Sequence, residues 1–163
     1  MDTRQAILST KNISQMVLTQ YINDLTDAEL MLRPGKGCNH IAWQLGHLIH
    51  SECGLLNSLV PGAAPQLPAG FAEKHDKSKQ GNDNPSDFCT KQEYLDLIKQ
   101  VHQAFTTALN KCSDADFDKP SPEQWQKMFP TAGQIWILMA THQMMHAGQF
   151  VPVRRSLGKP VVI

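Results

Sequence analysis

The chain has 163 residues, a length that suits one domain with a single hydrophobic core and needs no disulfide or structural metal. Lysine plus arginine and aspartate plus glutamate number 15 each, so the chain has no net charge that would attract nucleic acid or an anionic membrane. We therefore treat residues 1–163 as one domain and expect neither nucleic acid nor a membrane among its partners.

The cysteines and the N-terminal residues narrow the cellular setting. The four cysteines lie far apart and form no C-x-x-C pair, which argues against a zinc ribbon or a dithiol redox motif and favours free thiols. The first residues lack the apolar core of a signal peptide, and no stretch reaches the length of a transmembrane helix. These features predict a cytoplasmic protein.

Apolar residues recur at helical spacing in the first part of the chain. A first long helix is predicted from about residue 3 to residue 22, and a short turn capped by Thr26 with Glu29 follows it. Asn39 is the predicted N-cap of a second long helix, which ends near Leu59. The apolar positions that define the first helix are Ile7, Leu8, Ile13, Met16, Val17, Leu18 and Tyr21.

Residues 61–89 have a different character. They contain four prolines and show little periodicity, which predicts a long crossover between the second and third helices. Thr90 with Glu93 then opens a third helix that ends near Lys111.

Two short turns and a fourth long helix follow the third helix. The fourth helix is predicted to end near Leu157, and residues 160–163 suggest a short extended segment. The predicted cap pairs are Ser113 with Asp116, Ser121 with Gln124, and Thr131 with Gln134.

Four helices of about 20 to 27 residues predict an all-α four-helix bundle. The crossover between helices 2 and 3 is longer than an antiparallel neighbour needs, but it suits a chain that returns the length of the bundle. We therefore predict an up-down-down-up order, in which helices 2 and 4 are antiparallel. That order brings His47, on the flank of helix 2, to a height similar to that of two histidines in helix 4.

Those two histidines stand one helical turn apart in the segment THQMMHAGQ. His142 and His146 differ by about 40° around the helix axis and lie within its apolar stripe. A buried imidazole needs a hydrogen bond or a metal, so the pair is either a set of hydrogen-bonded core histidines or two ligands of one ion. No glutamate follows the first histidine, which excludes the H-E-x-x-H metalloproteases.

Two segments resemble a known family. NHIAWQLGHLIHSE opens the second helix and HQMMHAGQ lies in the fourth, and they match the N-x-I-x-W-x-x-x-H and H-x-x-x-H-x-G-Q patterns of the DinB-like superfamily. The helix order agrees too, so the chain resembles this superfamily of four-helix bundles over essentially its whole length. The resemblance implies three histidine ligands, which map onto His47, His142 and His146.

The resemblance also implies an open site for a divalent transition metal. Three neutral imidazoles suit Zn or Ni first, and Fe or Co as well, and they leave coordination positions for a thiol, a water or a substrate. Characterised relatives include transferases that use thiols such as bacillithiol or mycothiol, a thiol-dependent isomerase and hydrolase-like members, and relatives are commonly dimers. These likenesses imply a small-molecule substrate, with a low-molecular-weight thiol as cosubstrate, and a homodimer.

We expect metal-dependent thiol transfer, because no Asp or Glu stands out beside the triad as a general base. A metal-dependent hydrolase and a non-catalytic metal- or ligand-binding stress protein are the alternatives. Residues 61–89 are expected to shape the mouth of the pocket or to cover it.

Further residues have candidate roles around the triad. Gln149 lies on the face of His142 and is either a contact for a ligand or substrate, or a buried amide bonded to backbone. Trp43 is expected in the core or the pocket wall, and His50 is a weaker candidate for a group tilted toward the site. The histidines predicted at the surface are His40, His75 and His102.

Overall fold

The computed structural model describes residues 1–161, and this part of the chain folds into helices without a β-strand. A single antiparallel bridge joins Pro120 to Thr131, and 3-10 turns occupy Lys77–Lys79 and Pro85–Asp87. Of the extended segment predicted at residues 160–163, the last two lie outside the described residues. The α-helices in chain order are α1 Thr3–Asn23, α2 Asp27–Leu30, α3 Ile41–Leu59, α4 Phe71–Lys74, α5 Lys91–Leu109, α6 Asp114–Phe117, α7 Glu123–Gln126 and α8 Ala132–Ser156.

The four long helices α1, α3, α5 and α8 form the predicted bundle. Arg4 at the start of α1 donates to the carbonyl of Asn110 just after α5, and Lys91 at the start of α5 donates to the carbonyl of Asn23, so α1 and α5 are antiparallel. The bundle is all-α and has four long helices, as the periodicity predicts.

Helix directions follow the predicted up-down-down-up order. Arg154 near the end of α8 donates to the carbonyl of Tyr21 near the end of α1, so these two helices are parallel. Gln44 of α3 contacts His146 of α8, and Glu52, further along α3, contacts Gln143, which comes earlier along α8. Helices α3 and α8 are therefore antiparallel. The prediction of the bundle order is therefore confirmed.

Most of the predicted helix starts form as expected. At four of them the backbone N–H of the N-cap residue donates a hydrogen bond to the side chain three positions later. These N-cap residues are Thr26, Thr90, Ser113 and Thr131. The predicted cap at Asn39 is wrong by one residue, because Nδ1 of His40 accepts the Trp43 N–H at 3.0 Å and satisfies the free end of α3 instead. The predicted cap at Ser121 is also wrong, because its hydroxyl donates to the carbonyl of Phe129.

The crossover, residues 61–89, is packed against the bundle. The ring of His75 bonds to the carbonyl of Phe71 and the hydroxyl of Tyr94, each at 2.8 Å, and burial lowers the pKa of His75 to about 4. Nε2 of His40 lies 3.0 Å from the carbonyl of Asn82. The surface placement predicted for His40 and His75 is therefore wrong, since both rings tie the crossover to the bundle.

The core face of α1 also differs from the prediction. Ile13 and Met16 are 52% and 47% exposed, whereas Lys11 and Ser14 are buried. The buried positions of α1 continue from Ile7 at helical spacing, and two of them, Lys11 and Ser14, carry polar side chains. None of the helices in residues 1–161 combines the length and hydropathy required to cross a membrane.

Candidate metal centre

Three histidines converge at the edge of the bundle. His47 comes from α3, and His142 and His146 come from adjacent turns of α8. One ring nitrogen of each lies within 4.8 Å of the others, and this is the only group of three or more potential metal-binding His, Cys, Asp or Glu side chains within residues 1–161. The antiparallel packing of α3 on α8 brings the third histidine to the pair.

The three rings are held in their neutral form at neutral pH. Burial, followed by the neighbouring histidines, lowers the pKa of His146 to about 3. Burial, His47 and then the Lys11 ammonium lower the pKa of His142 to about 4. The pKa of His47 is also lowered, first by burial and then by Lys77. Neutral imidazoles carry the lone pair that a metal ion requires.

A buried glutamine sets the orientation of one ring. Nδ1 of His146 lies 2.8 Å from Oε1 of Gln44, and Nε2 of Gln44 donates to the carbonyl of Asn39 at 2.8 Å. Since the amide oxygen accepts only, Nδ1 of His146 carries the proton, and Nε2 is left as the ligand atom. Sequence reasoning missed Gln44, although an amide one turn before His47 in an apolar helix start was the available signal.

Replacing Gln44 with methionine is expected to weaken metal binding by about ten- to a hundredfold, because the His146 ring loses the acceptor that fixes its orientation. A competition titration with a chromophoric zinc chelator measures this change in dissociation constant. The matched control is Gln100, an exposed glutamine on α5, for which the change to methionine leaves the constant unchanged. Equal affinity of the Gln44 variant and the wild type would contradict the assigned role.

Trp43 connects His47 to the crossover. Its ring stacks on His47 with centroids 5.1 Å apart and an angle of 7° between planes. Its indole N–H donates to the carbonyl of Asp76 at 3.2 Å. Trp43, predicted in the core or the pocket wall, is buried against a ring of the triad, and the crossover reaches the triad through it.

The triad lies at the margin of the core, not at the middle of the apolar stripe. The buried face of α8 is centred near Gln143 and Phe150. The centre of this face lies about 80° around the helix axis from His142. Met145 is 59% exposed, and Gln149 is exposed as well. The prediction that His142 lies within the apolar stripe is therefore only partly right, because His142 is at the margin of the buried face and is half-buried.

The remaining candidates lie apart from the three ligand nitrogens. His50 is exposed, one turn after His47 on α3. His102 is half-buried on α5, so its predicted exposure is wrong in degree. The four cysteines are free thiols, as expected, and Cys38 is the exposed one among them.

A buried ion pair lies behind the triad, and sequence reasoning did not identify it. Lys11 of α1 and Glu52 of α3 form a salt bridge with side chains 0% and 3% exposed. Oε2 of Glu52 accepts a hydrogen bond from Gln143 of α8 at 3.3 Å. The signal was the position of Lys11, four residues after Ile7 on the core face of the first helix.

The donor set fits a divalent transition metal. Three neutral imidazoles with converging nitrogens suit Zn, Ni, Co or Fe(II), and they leave one to three positions for other ligands. Gln44 fixes one ring, Trp43 packs on a second, and the half-buried sides of His47 and His142 give access from solvent. Such an arrangement is typical of a reactive site rather than of a closed structural one.

Solved structures share this fold. A conserved protein from Enterococcus faecalis superposes with a TM-score of 0.71 at 18% identity, covering 98% of this chain and 99% of the other. YfiT from Bacillus subtilis, described as a probable metal-dependent hydrolase with an unusual four-helix bundle topology, superposes with a TM-score of 0.66 at 19% identity, covering 96% and 89%. At these identities the likeness shows the fold alone.

A search of curated proteins returned no match to the chain. The profile of the DinB superfamily matches residues 12–150, which include α3, α5, most of α8 and all three histidines. The match covers well over half of the sequence and agrees with the four-helix fold. The chain belongs to the DinB superfamily.

Proposed function

We propose that the protein is a metal-dependent enzyme that transfers a low-molecular-weight thiol to a small electrophile. The observation that carries this proposal is the convergence of three neutral imidazoles at a solvent-accessible edge of the bundle. A divalent ion held by His47, His142 and His146 would lower the pKa of a bound thiol or water and would so supply a nucleophile at neutral pH.

Residues of this chain contribute binding and orientation. Gln44 fixes the tautomer of His146 through its amide oxygen, and Trp43 holds the ring plane of His47. Met145 and Gln149 are exposed on the side of α8 next to His142. The crossover is joined to the triad through Trp43, which stacks on His47 and donates to the carbonyl of Asp76.

The lack of a carboxylate in the metal-binding group found within residues 1–161 favours a thiol over water as the nucleophile. The potential metal-binding group within residues 1–161 consists of histidines alone. Glu52, the buried carboxylate behind the triad, is already paired with Lys11. Hydrolysis of an ester or amide needs a group that passes a proton to the leaving oxygen or nitrogen, whereas a thiolate that displaces a halide needs none.

Hydrolysis is the second candidate function. It is favoured by the structural likeness to YfiT, which is described as a probable metal-dependent hydrolase. A third alternative, in which the triad only pins the bundle, requires a closed coordination shell, and the half-buried rings of His47 and His142 argue against it. The homodimer and the cytoplasmic location stay predictions.

A rate measurement with and without thiol tests the proposal. Protein loaded with Zn or Ni is incubated with an alkyl halide and a panel of thiols that includes cysteine and bacillithiol. In the expected reaction the thiol sulfur bonds to carbon, the halide leaves with the bonding electrons, and the thiol proton passes to solvent. We expect a rate above the uncatalysed background that saturates with one thiol and falls to background in His47→Ala.

The outcomes separate the candidate functions. Cleavage of an ester or amide by the loaded protein without thiol would replace transfer with hydrolysis. A loaded protein that shows neither activity across the panel would contradict the proposal of an enzyme. The variant His50→Ala serves as the control, because this exposed residue neighbours His47 without belonging to the triad.

A further inference from the structure

The apolar core of the bundle is divided into two clusters. One cluster contains Val17 of α1 and Ala147 of α8, and the other contains Ile7 of α1 and Ala140 of α8. On every long helix, polar side chains lie at the boundary between the two clusters. These residues are Lys11 and Ser14 on α1, Glu52 on α3, His102 on α5, and His142 and Gln143 on α8.

This polar layer lies at the level of the metal centre. Gln143 follows His142 directly on α8, and its side chain amide donates to Glu52 on α3. Lys11 of α1 forms a salt bridge with the same carboxylate of Glu52. The layer therefore joins α1, α3 and α8 immediately behind a metal ligand.

Two hydrogen bonds between α3 and α8 bracket the triad. On one side Gln44 accepts from His146, and on the other side Glu52 accepts from Gln143. His47 lies between Gln44 and Glu52 along α3. Because rotation or sliding of α8 would break both bonds, together they fix the direction from which the α8 histidines approach His47.

We infer that Glu52, held by Lys11 and bonded to Gln143, is a positioning residue of the metal centre. The inference rests on the proposed metal-dependent function and adds a group that lies behind the ligands. Glu52 acts by holding α8 in register with α3, and the salt bridge from Lys11 holds the Glu52 side chain in place.

The energetics of the ion pair support this role over a purely structural one. Removing two charges from water costs about as much as their attraction returns, and apolar residues of similar size are often at least as stabilising. Stability alone therefore gives little reason for an ion pair buried at 0% and 3% exposure. The position of the ion pair at the height of the triad gives a specific reason for its presence, namely the orientation of the ligands.

The test compares variants that differ in the bond to Gln143. Lys11→Met with Glu52→Leu removes both charges and the acceptor for Gln143, whereas Lys11→Met with Glu52→Gln removes both charges and keeps an acceptor. Each protein is titrated with Co²⁺ alone, and the visible absorption spectrum reports ligand geometry. Asp24→Asn is the control, because it weakens a salt bridge to Arg154 two turns beyond His146.

We expect the Leu double variant to bind Co²⁺ at least tenfold more weakly, with a changed spectrum, while the Gln double variant and Asp24→Asn stay within about threefold of wild type. A folded Leu double variant with wild-type affinity and spectrum would overturn the inference. So would an equal loss in the Gln double variant, which would assign the effect to charge instead of the bond.

Two safeguards keep the result decisive. Gln143→Met removes the same bond from the α8 side and leaves the ion pair intact, so it replaces the Leu double variant if circular dichroism shows that protein to be unfolded. The wild-type titration distinguishes a failure of the proposed metal-dependent function from a failure of the positioning role. A wild type that takes up no Co²⁺ contradicts the proposed function, whereas metal uptake that is unchanged in Gln143→Met contradicts the positioning role alone.

Discussion

Replacing any one of His47, His142 and His146 with alanine is expected to abolish metal retention during purification. A structural zinc site with four ligands is worth about 10–16 kcal/mol, so the loss of one ligand costs about 3 kcal/mol, or at least a hundredfold in affinity. Elemental analysis of protein purified without a histidine tag measures the result. We expect near one equivalent of a transition metal in wild type and a small fraction of that in each variant.

The controls for this experiment are other histidines of the same chain. His50→Ala removes an exposed ring one turn after His47, and His102→Ala removes a half-buried ring on α5. Both variants are expected to keep the full equivalent of metal. A metal-free wild type that also fails to take up Zn or Ni would show that the triad is a cluster of core histidines.

The change Gly46→Ala is expected to have the largest effect on stability among single methyl additions. A Cβ at this position would lie 2.0 Å from Cδ2 of His75 and 2.2 Å from Cγ and Nε2. The ring has little freedom to move, because it is buried and bonded to Phe71 and Tyr94. We expect the free energy of unfolding to fall by about 3 kcal/mol in urea denaturation, since forced overpacking outweighs the better helix propensity of alanine.

The matched control lies on the same helix. Gly54 has nothing within 4 Å of an added Cβ, so Gly54→Ala is expected to raise stability by about 0.5–1 kcal/mol through helix propensity. A double variant of Gly46→Ala with His75→Ala relieves the clash, and its loss of stability is therefore expected to be less than the sum of the two single losses. Wild-type stability of Gly46→Ala would contradict the close approach of the crossover to α3.

The fold was predictable because its signals are local. Helix starts depend on a cap and a residue three positions later, and the pairs at Thr26, Thr90 and Thr131 form as their sequence indicates. The order of the bundle followed from the length of residues 61–89, since a long return connection favours parallel neighbours. Neither inference required knowledge of side-chain packing.

Burial was harder to predict because it depends on distant parts of the chain. His75 has no helical pattern around it, and its burial follows from the close approach to Gly46, which a glycine in the middle of a helix only hints at. Lys11 was overlooked because a lysine on an apolar face is normally solvated, whereas here Glu52 from another helix pairs with it.

The candidate site also has a part that the sequence predicts and a part that it does not. The three histidines are apparent from their spacing and from the resemblance to a family, and the structure brings them together. The roles of Gln44 and Gln143 depend on which residues of α3 face α8, and no periodicity in a single helix contains that information. The groups that orient the ligands are therefore the part of the site that could be identified only from the three-dimensional structure.

Gln44 and His146, which share a hydrogen bond, stand 102 residues apart along the chain. Bringing together segments so far apart requires closure of a long loop, which slows folding relative to helical proteins with local contacts. During synthesis, an ion meets an incomplete set of ligands until α8 has left the ribosome. Capture of a metal by the triad would therefore come late in the biogenesis of this protein, and at a thousandfold excess over the dissociation constant it would add about 4 kcal/mol to the stability of the fold.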